Sequence, residues 1–272
     1  MNSPPHDPWF FLAGRTSARI GRGRTGASLP TREVLAFDLA HALARDAVHA
    51  HVDRARLARA IAGTGLTTIE VESEAVDRPT FLRQPDAGRR LSAASAARLA
   101  QAARGSCDVA LMIGDGLSAA AVEAHAAALV TEFKPHVRRL GLRLGPIALA
   151  AGARVALGDA VGAALSARLS VVVIGERPGL SAADSLGIYL TYDPRQGRTD
   201  AERNCISNIR PGGLPPELAA TKLAWLVDAA LGRSLTGVAL KDESDAALLS
   251  SQPDTRVAIE SRNNADEEQR KA

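Results

Sequence analysis

Leu35, Leu39, Leu43 and Ala47 recur at every fourth residue, and this row predicts an amphipathic helix over residues 32–52. Thr31 stands where a helix cap is expected, and Glu33 lies in the first turn, where the helix dipole favours a negative charge. A β-leaning stretch comes next at residues 66–71. Pro85-Asp86-Ala87-Gly88 reads as a turn, and Ser92 then caps a second helix to about residue 104. Beyond residue 105 the pattern alternates. Short apolar runs at 109–113, 145–150 and 169–174 predict strands, and the β-branched richness of the last suits a central parallel strand. Ser118 caps a helix to about residue 130. Residues 155–165 read as a loop and short helix, and a helix after Pro215-Pro216 reaches about residue 231. Residues 189–192 predict an edge strand and residues 236–240 a last strand.

Strands alternating with helices over residues 105–242 predict an α/β fold, with a Rossmann-like, mostly parallel sheet and helices on both faces. A mainly helical region, residues 31–104, and an arm, residues 1–30, precede it. Residues 243–272 are polar and read as a disordered tail. Within the arm, Trp9-Phe10-Phe11 sets three large apolar side chains in a row. They call for a docking surface, either on a partner or on the chain's own domain. Arg15, Arg19, Arg22 and Arg24 fit an extended arm on a partner's surface.

Composition narrows the classes. A chain of 272 residues with 46% hydrophobic and 23% charged residues can bury a core without disulfides. Cys107 and Cys205 are its only cysteines, which fits a reducing compartment. No apolar run reaches the length of a membrane span, and the polar, Pro-rich start lacks the features of a signal peptide. No membrane partner and a cytoplasmic location are therefore expected. The net charge is +3, but arginines alternate with acids and aromatics make up 3%, too few for a nucleic-acid stacking platform. No nucleic-acid partner is expected.

Gly21-Arg22-Gly23-Arg24-Thr25-Gly26 has the letters of a dinucleotide loop, but no strand precedes it and Pro30 interrupts the stretch after it. There is neither a Walker A motif nor a G-x-S-x-G elbow. His41, His49, His51 and His125 fall on predicted helices and read as surface or partly buried residues, not metal ligands. No catalytic residue and no metal site is assigned. In an open α/β sheet, ligands bind at the carboxyl ends of the strands, and three loops fall there. Residues 175–179 (GERPG) place Glu176 at a strand end, either as an acceptor for a ligand's amide N–H groups or as the surface ion-pair partner of Arg177. Residues 204–208 form a short polar segment whose Cys205 suits packing or ligand contact, since no base lies nearby in sequence. Asp115 can orient a ligand or accept N–H groups at the start of the next helix.

Taken in order, residues 24–30 (RTGASLP), 85–91 (PDAGRRL), 115–118 (DGLS), 154–162 (RVALGDAVG), 175–179, 203–208 (RNCISN) and 236–242 resemble the small subunit of adenosylcobalamin-dependent ethanolamine ammonia-lyases. The resemblance covers residues 18–241. It implies a Rossmann-like domain that holds adenosylcobalamin against a barrel-shaped large subunit in a hetero-oligomer of large and small chains. It implies cofactor contacts at Val155, Glu176 and Cys205, and radical deamination of ethanolamine to acetaldehyde and ammonia, with the substrate residues on the large subunit. No D-x-H-x-x-G motif is present, so cobalt is expected to keep its own dimethylbenzimidazole base. The resemblance starts near the beginning of the chain, without the long extension that targets some members to a protein microcompartment. Two other classes stay open, a stand-alone cobalamin- or nucleotide-binding module and a nucleic-acid binder using the Arg-rich arm. If the arm docks on the large subunit, deleting residues 1–30 weakens assembly in sedimentation; an unchanged complex rejects that role.

Overall fold

The structure is a computed structural model that describes residues 9–103 and 105–246. The chain divides into a unit Met1–Leu240 and a second unit Lys241–Ala272. The tail expected over residues 243–272 lies, from residue 247 on, outside the described residues.

The first unit runs α1 (Thr31–His49), α2 (Arg54–Ala62), β1 (Thr68–Glu72), α3 (Arg78–Arg83), α4 (Ala93–Ala102) and β2 (Val109–Gly114). Next, α5 (Ala119–Ala121), a π-helical turn (Val122–Ala126) and α6 (Ala127–Arg139) succeed one another without a break. Then come β3 (Ile147–Ala151), α7 (Leu157–Ala164), β4 (Leu169–Gly175), β5 (Leu186–Tyr192), β6 (Arg203–Ile209) and α8 (Pro216–Arg233). The six strands form one sheet in the order β1-β3-β2-β4-β5-β6. The first four are parallel, and β5 and β6 add two antiparallel pairings at one side. This is the α/β class with a mostly parallel sheet that the alternation predicts.

Burial explains the strand order. Every residue of β2 and β4 is buried, as strands covered on both faces require. On one face Leu57, Ile61, Leu129, Phe133, Leu223 and Val227 bring α2, α6 and α8 onto the sheet. On the other, Leu99 of α4 and Leu157 and Val161 of α7 pack over Val71, Met112 and Val172. Helix α7 covers β2 and β4. Farther out on this face, Cys205 and Ser207 of β6 remain exposed. Among the described residues, no helix is long and apolar enough to cross a membrane.

Several expectations change. Thr31 is the first helical residue and makes no cap; the Pro30 carbonyl accepts from Glu33 and Val34 instead. Helix α1 stops at His49, so His51 lies beyond it. Its apolar row points outward, with Leu35 62% and Leu39 60% exposed and only Ala47 buried. Helices α2 and α3 are not legible in the sequence pattern, whereas the β-leaning stretch at residues 66–71 does form a strand, β1, at the sheet's outer edge. The run expected as a strand at residues 236–240 is a 3-10 turn, Gly237–Ala239. Residues 204–208, which read as a loop, lie in the edge strand β6, and β5 sits one place inside it. A strand covered on one face only alternates polar and apolar, and its polar half reads as loop.

Arg203, at the start of β6, and Asp159, on α7, form a buried ion pair with both guanidinium Nη atoms 2.7 Å from the carboxylate oxygens. Thr191 Oγ1 accepts a third bond at 2.7 Å. Burial pulls the Arg203 pKa down, but the hydrogen bonds and charge of Asp159 outweigh it and leave it raised. Removing one partner strands a buried charge, so Asp159→Ala is expected to lower stability by about 3–5 kcal/mol in denaturant melts. A melt like the parent's would contradict this role.

Candidate functional site

The carboxyl edge of the parallel strands is closed in its middle by protein backbone. Asp115, after β2, accepts from Ala153 N at 2.8 Å and Gly152 N at 3.0 Å, which ties the β2 loop to the β3 loop. Gly116 has φ +54°, and a Cβ there would fall 2.2 Å from the Gly175 carbonyl. A Cβ at Gly175 would in turn meet the Ser118 carbonyl at 2.1 Å. These glycines bring two loops of the chain together, and the first glycine of the GERPG segment is taken up by this contact. Ser118 Oγ caps α5 by accepting from Ala121 N, so the DGLS segment is used in joining loops and starting a helix. Asp115 accepts backbone N–H groups, but from the β3 loop and not from the start of the next helix.

Glu176 emerges beside this closed stretch. Its Oε2 accepts from Ser185 Oγ at 2.5 Å, and its carboxylate lies 3.3–3.4 Å from the Asn208 amide. Its bonds go to these two donors, and the neighbouring Arg177 is exposed. Gly187 of β5 lets the carboxylate lie flat on the sheet, because a Cβ there would be 3.0 Å from Oε1. Two donors leave acceptor positions of the carboxylate unused, since an ionised carboxylate offers about four.

Tyr189 is two residues along β5, on the same face as Gly187, and pairs with Cys205 of β6. Cys205 is exposed as a residue, yet its thiol has lost enough water to be pushed up, a hydrogen bond with Tyr189 works against this, and Glu176 adds to the rise. Tyr189 is pushed up to about 12 by desolvation first, then by Cys205 and Glu176. The charge of Glu176 therefore acts on Tyr189 and Cys205 across β4, β5 and β6, a span of about 10 Å at the usual strand spacing. Val155, just before α7, packs against the same-face core to which Tyr189 also belongs. The structure thus brings Glu176 and Cys205 together and sets Val155 on the same side of the sheet. Sequence reasoning misses Tyr189 as a site residue; its pairing with Cys205 needs the β5–β6 register, which the sequence does not carry.

The rest of the RNCISN segment is structural. Arg203 binds Asp159, and Asn204 holds the Gly237–Ala239 turn, donating to the Leu240 carbonyl at 2.7 Å and accepting from Gly237 N at 2.8 Å. Asn208 takes a left-handed φ of +58°, tolerated by Asn, and presents its backbone N–H to Glu176. Only Cys205 and Ser207 are exposed between them on the open face.

A cavity of about 750 Å³ lies at the opposite, amino end of the sheet, lined by Thr67, Cys107, Arg143 and Pro146 among others. Its lining holds no carboxylate or imidazole, and none of the expected site residues. Cys107 there is buried, which pushes its thiol up and makes it a packing residue. Among the described residues no three His, Cys, Asp or Glu side chains could share a metal ion. His125 lies on the π-helical turn and faces Asp184 at 3.3 Å.

The described residues form an α/β sheet with one partly open face that carries a carboxylate and a thiol. Residues 6–241 match the family described as ethanolamine ammonia-lyase light chain (EutC). The chain is 55% identical over 247 residues to the ethanolamine ammonia-lyase small subunit of Bradyrhizobium diazoefficiens, covering 90% of this chain and 95% of that one. It is 53% identical over 229 residues to the Rhodopseudomonas palustris small subunit (84% and 88% covered) and 48% identical over 259 residues to that of Xanthomonas campestris (94% and 95% covered). The chain belongs to the ethanolamine ammonia-lyase small-subunit family, and its role is that of a carbon–nitrogen lyase subunit.

The chain has two tyrosines, Tyr189 and Tyr192. Ultraviolet titration is expected to find one phenol ionising near 12 and to lose that late step in Tyr189→Phe. The folded pKa is raised above the unfolded value near 10, so between the two the native state keeps a proton that the unfolded state has lost. The stability tied to the protonated phenol is therefore fully present below about pH 10 and is lost as the pH rises towards about 12. Two phenols ionising together near 10 would contradict the desolvated setting.

Proposed function

We propose that this chain binds adenosylcobalamin on the open face of β4, β5 and β6, at its interface with an ethanolamine ammonia-lyase large subunit. The observation that carries the reading is the Glu176 carboxylate, laid flat on Gly187 with acceptor positions free. Cobalamin's corrin side chains end in primary amides, which are donors for such an acceptor. Cys205 and Val155 add small apolar surface on the same side, and Tyr189, protonated at neutral pH, offers a hydroxyl. A broad, shallow strand-end face suits a flat macrocycle, and the residues present fit the group.

When bound, the cofactor supplies the radical chemistry by which ethanolamine yields acetaldehyde and ammonia. This chain's residues bind and orient it and keep water from that side. The substrate is held by the large subunit, and the working enzyme is a hetero-oligomer of large and small chains. The names of the relatives as small subunits support a large-subunit partner.

The chain alone is therefore expected to give no acetaldehyde from ethanolamine and adenosylcobalamin, and to give it once a large subunit is added; turnover by the isolated chain contradicts the reading. Glu176→Ala is expected to weaken cobalamin binding by the reconstituted complex about ten- to a hundredfold, the effect of losing charge-assisted hydrogen bonds of about 1.5–3 kcal/mol. The comparison is made by equilibrium dialysis, with the cofactor-free melting temperature measured on the same samples. Intact affinity removes Glu176 from the site.

A further inference from the structure

Three arginines crowd the carboxyl end of β3, and two nearby carboxylates are already committed. Asp115 accepts two backbone amides and lies 3.4 Å from Arg78 Nη1. Asp86 pairs with Arg89 at 2.7 Å. Arg154, one residue before Val155, has no ion-pair partner among the described residues. Its Nη2 donates to the Phe81 carbonyl at 3.1 Å, while Nε is shut off from solvent without a hydrogen-bond partner. Its guanidinium stacks 4.1 Å from the centre of the Phe81 ring, and that of Arg78 stacks 4.6 Å from the same ring. Arg78 is buried, and its Nη2 also lacks a partner. Burial, then Arg78 and Arg89, hold the Arg154 pKa below the usual arginine value, the mark of a cation short of negative charge.

Local backbone geometry makes room for this position. The Gly88 carbonyl accepts from Arg154 N at 2.9 Å. A Cβ at Gly88 would fall 2.9 Å from Arg154 Cγ and 2.9 Å from the Gly152 carbonyl. The glycine of the GRRL segment, which the site above does not use, is what lets the Arg154 side chain pass. Stacking on Phe81 and the bond to its carbonyl then fix the guanidinium plane. A fixed guanidinium next to a second one, with donors to spare, is suited to a phosphate.

We propose that Arg154, backed by Arg78, binds the phosphodiester of the cofactor's nucleotide tail. The inference rests on the cobalamin reading above and extends it from the amides to the tail. The corrin amides are neutral, and the tail phosphate is the anion that the cofactor offers. Arg154 adjoins Val155, so a corrinoid lying on the open face has its tail within reach of this end of the sheet.

The test uses the complex with a large subunit and equilibrium dialysis against cyanocobalamin and against cobinamide, which lacks the nucleotide tail. The parent is expected to favour cyanocobalamin. Arg154→Gln is expected to lose about ten- to a hundredfold of its cyanocobalamin affinity and keep its affinity for cobinamide. Arg154→Lys, which keeps the charge and loses the fork, covers the case of a misfolded Gln variant; it is expected to lose less, again for cyanocobalamin alone. Equal losses for both corrinoids mean that Arg154 only holds the fold, and overturn the proposal. So does a parent without preference between them, or cyanocobalamin binding indifferent to both substitutions. Inorganic phosphate that raises the melting temperature of the parent and not of Arg154→Gln, with corrinoid binding indifferent to Arg154, assigns the site to free phosphate and overturns it as well. A parent complex that binds neither corrinoid overturns the cofactor reading and this inference together, whereas indifference to Arg154 overturns this inference alone.

Discussion

The buried pair between Arg203 and Asp159 sets the dimensions of everything else on the open face. It joins α7, which begins two residues after Val155, to β6, where Cys205 comes two residues after Arg203. The outermost residues of the candidate site are thus held at the two ends of one charge-assisted, bidentate contact. Such pairs are costly to desolvate and rigid once made. A binding face made from a helix start on one side and an edge strand on the other needs that rigidity, because α7 packs on β2 and β4, and β4 lies two places from β6 in the sheet. Thr191, which accepts from the same guanidinium, adds β5 to the clamp.

Around this clamp, the distinctive segments divide their residues between holding and presenting. In RNCISN, Arg203, Asn204 and Asn208 spend their polar groups on the chain itself, and Cys205 and Ser207 are left facing outward. In GERPG, Gly175 is used for the backbone contact with the β2 loop, and Glu176 is left with acceptor capacity. In the β3 loop, Arg154 is steadied by Gly88 and Phe81 and retains unbonded nitrogens. The closed middle of the carboxyl edge and the open face beside it arise from the same glycines.

The α/β class and the buried strands are legible in the chain because β2 and β4 are covered on both faces and their apolar runs leave no other reading. The site is less so. Local pattern leaves Glu176 open between ligand acceptor and partner of Arg177, and only the fold shows its bonds to Ser185 and Asn208. Val155 comes from family resemblance alone, and local pattern leaves Cys205 open between packing and ligand contact. Tyr189 escapes because cross-strand pairing with Cys205 is set by register. Helix α1 misleads in the other direction: its apolar row, Leu35, Leu39 and Leu43, reads as a core face and lies exposed. Periodicity reports that a face is apolar and not what covers it. Part of the arm, by contrast, lies on the chain itself, with Arg19 donating to the Leu180 carbonyl and Ser181 to that of Ser17.

The central claim is that the face carrying Cys205 holds the cofactor, and a side chain too large for that face tests it most directly. Cys205 is exposed, so Cys205→Trp can be accommodated without disturbing the core. Cobalamin binding is measured by equilibrium dialysis on the complex with the large subunit, once the variant has been shown to assemble and to melt as the parent does. Loss of cobalamin binding in an assembled, normally melting complex is the expected result. Binding at the parent's affinity would contradict the placement of the cofactor on this face.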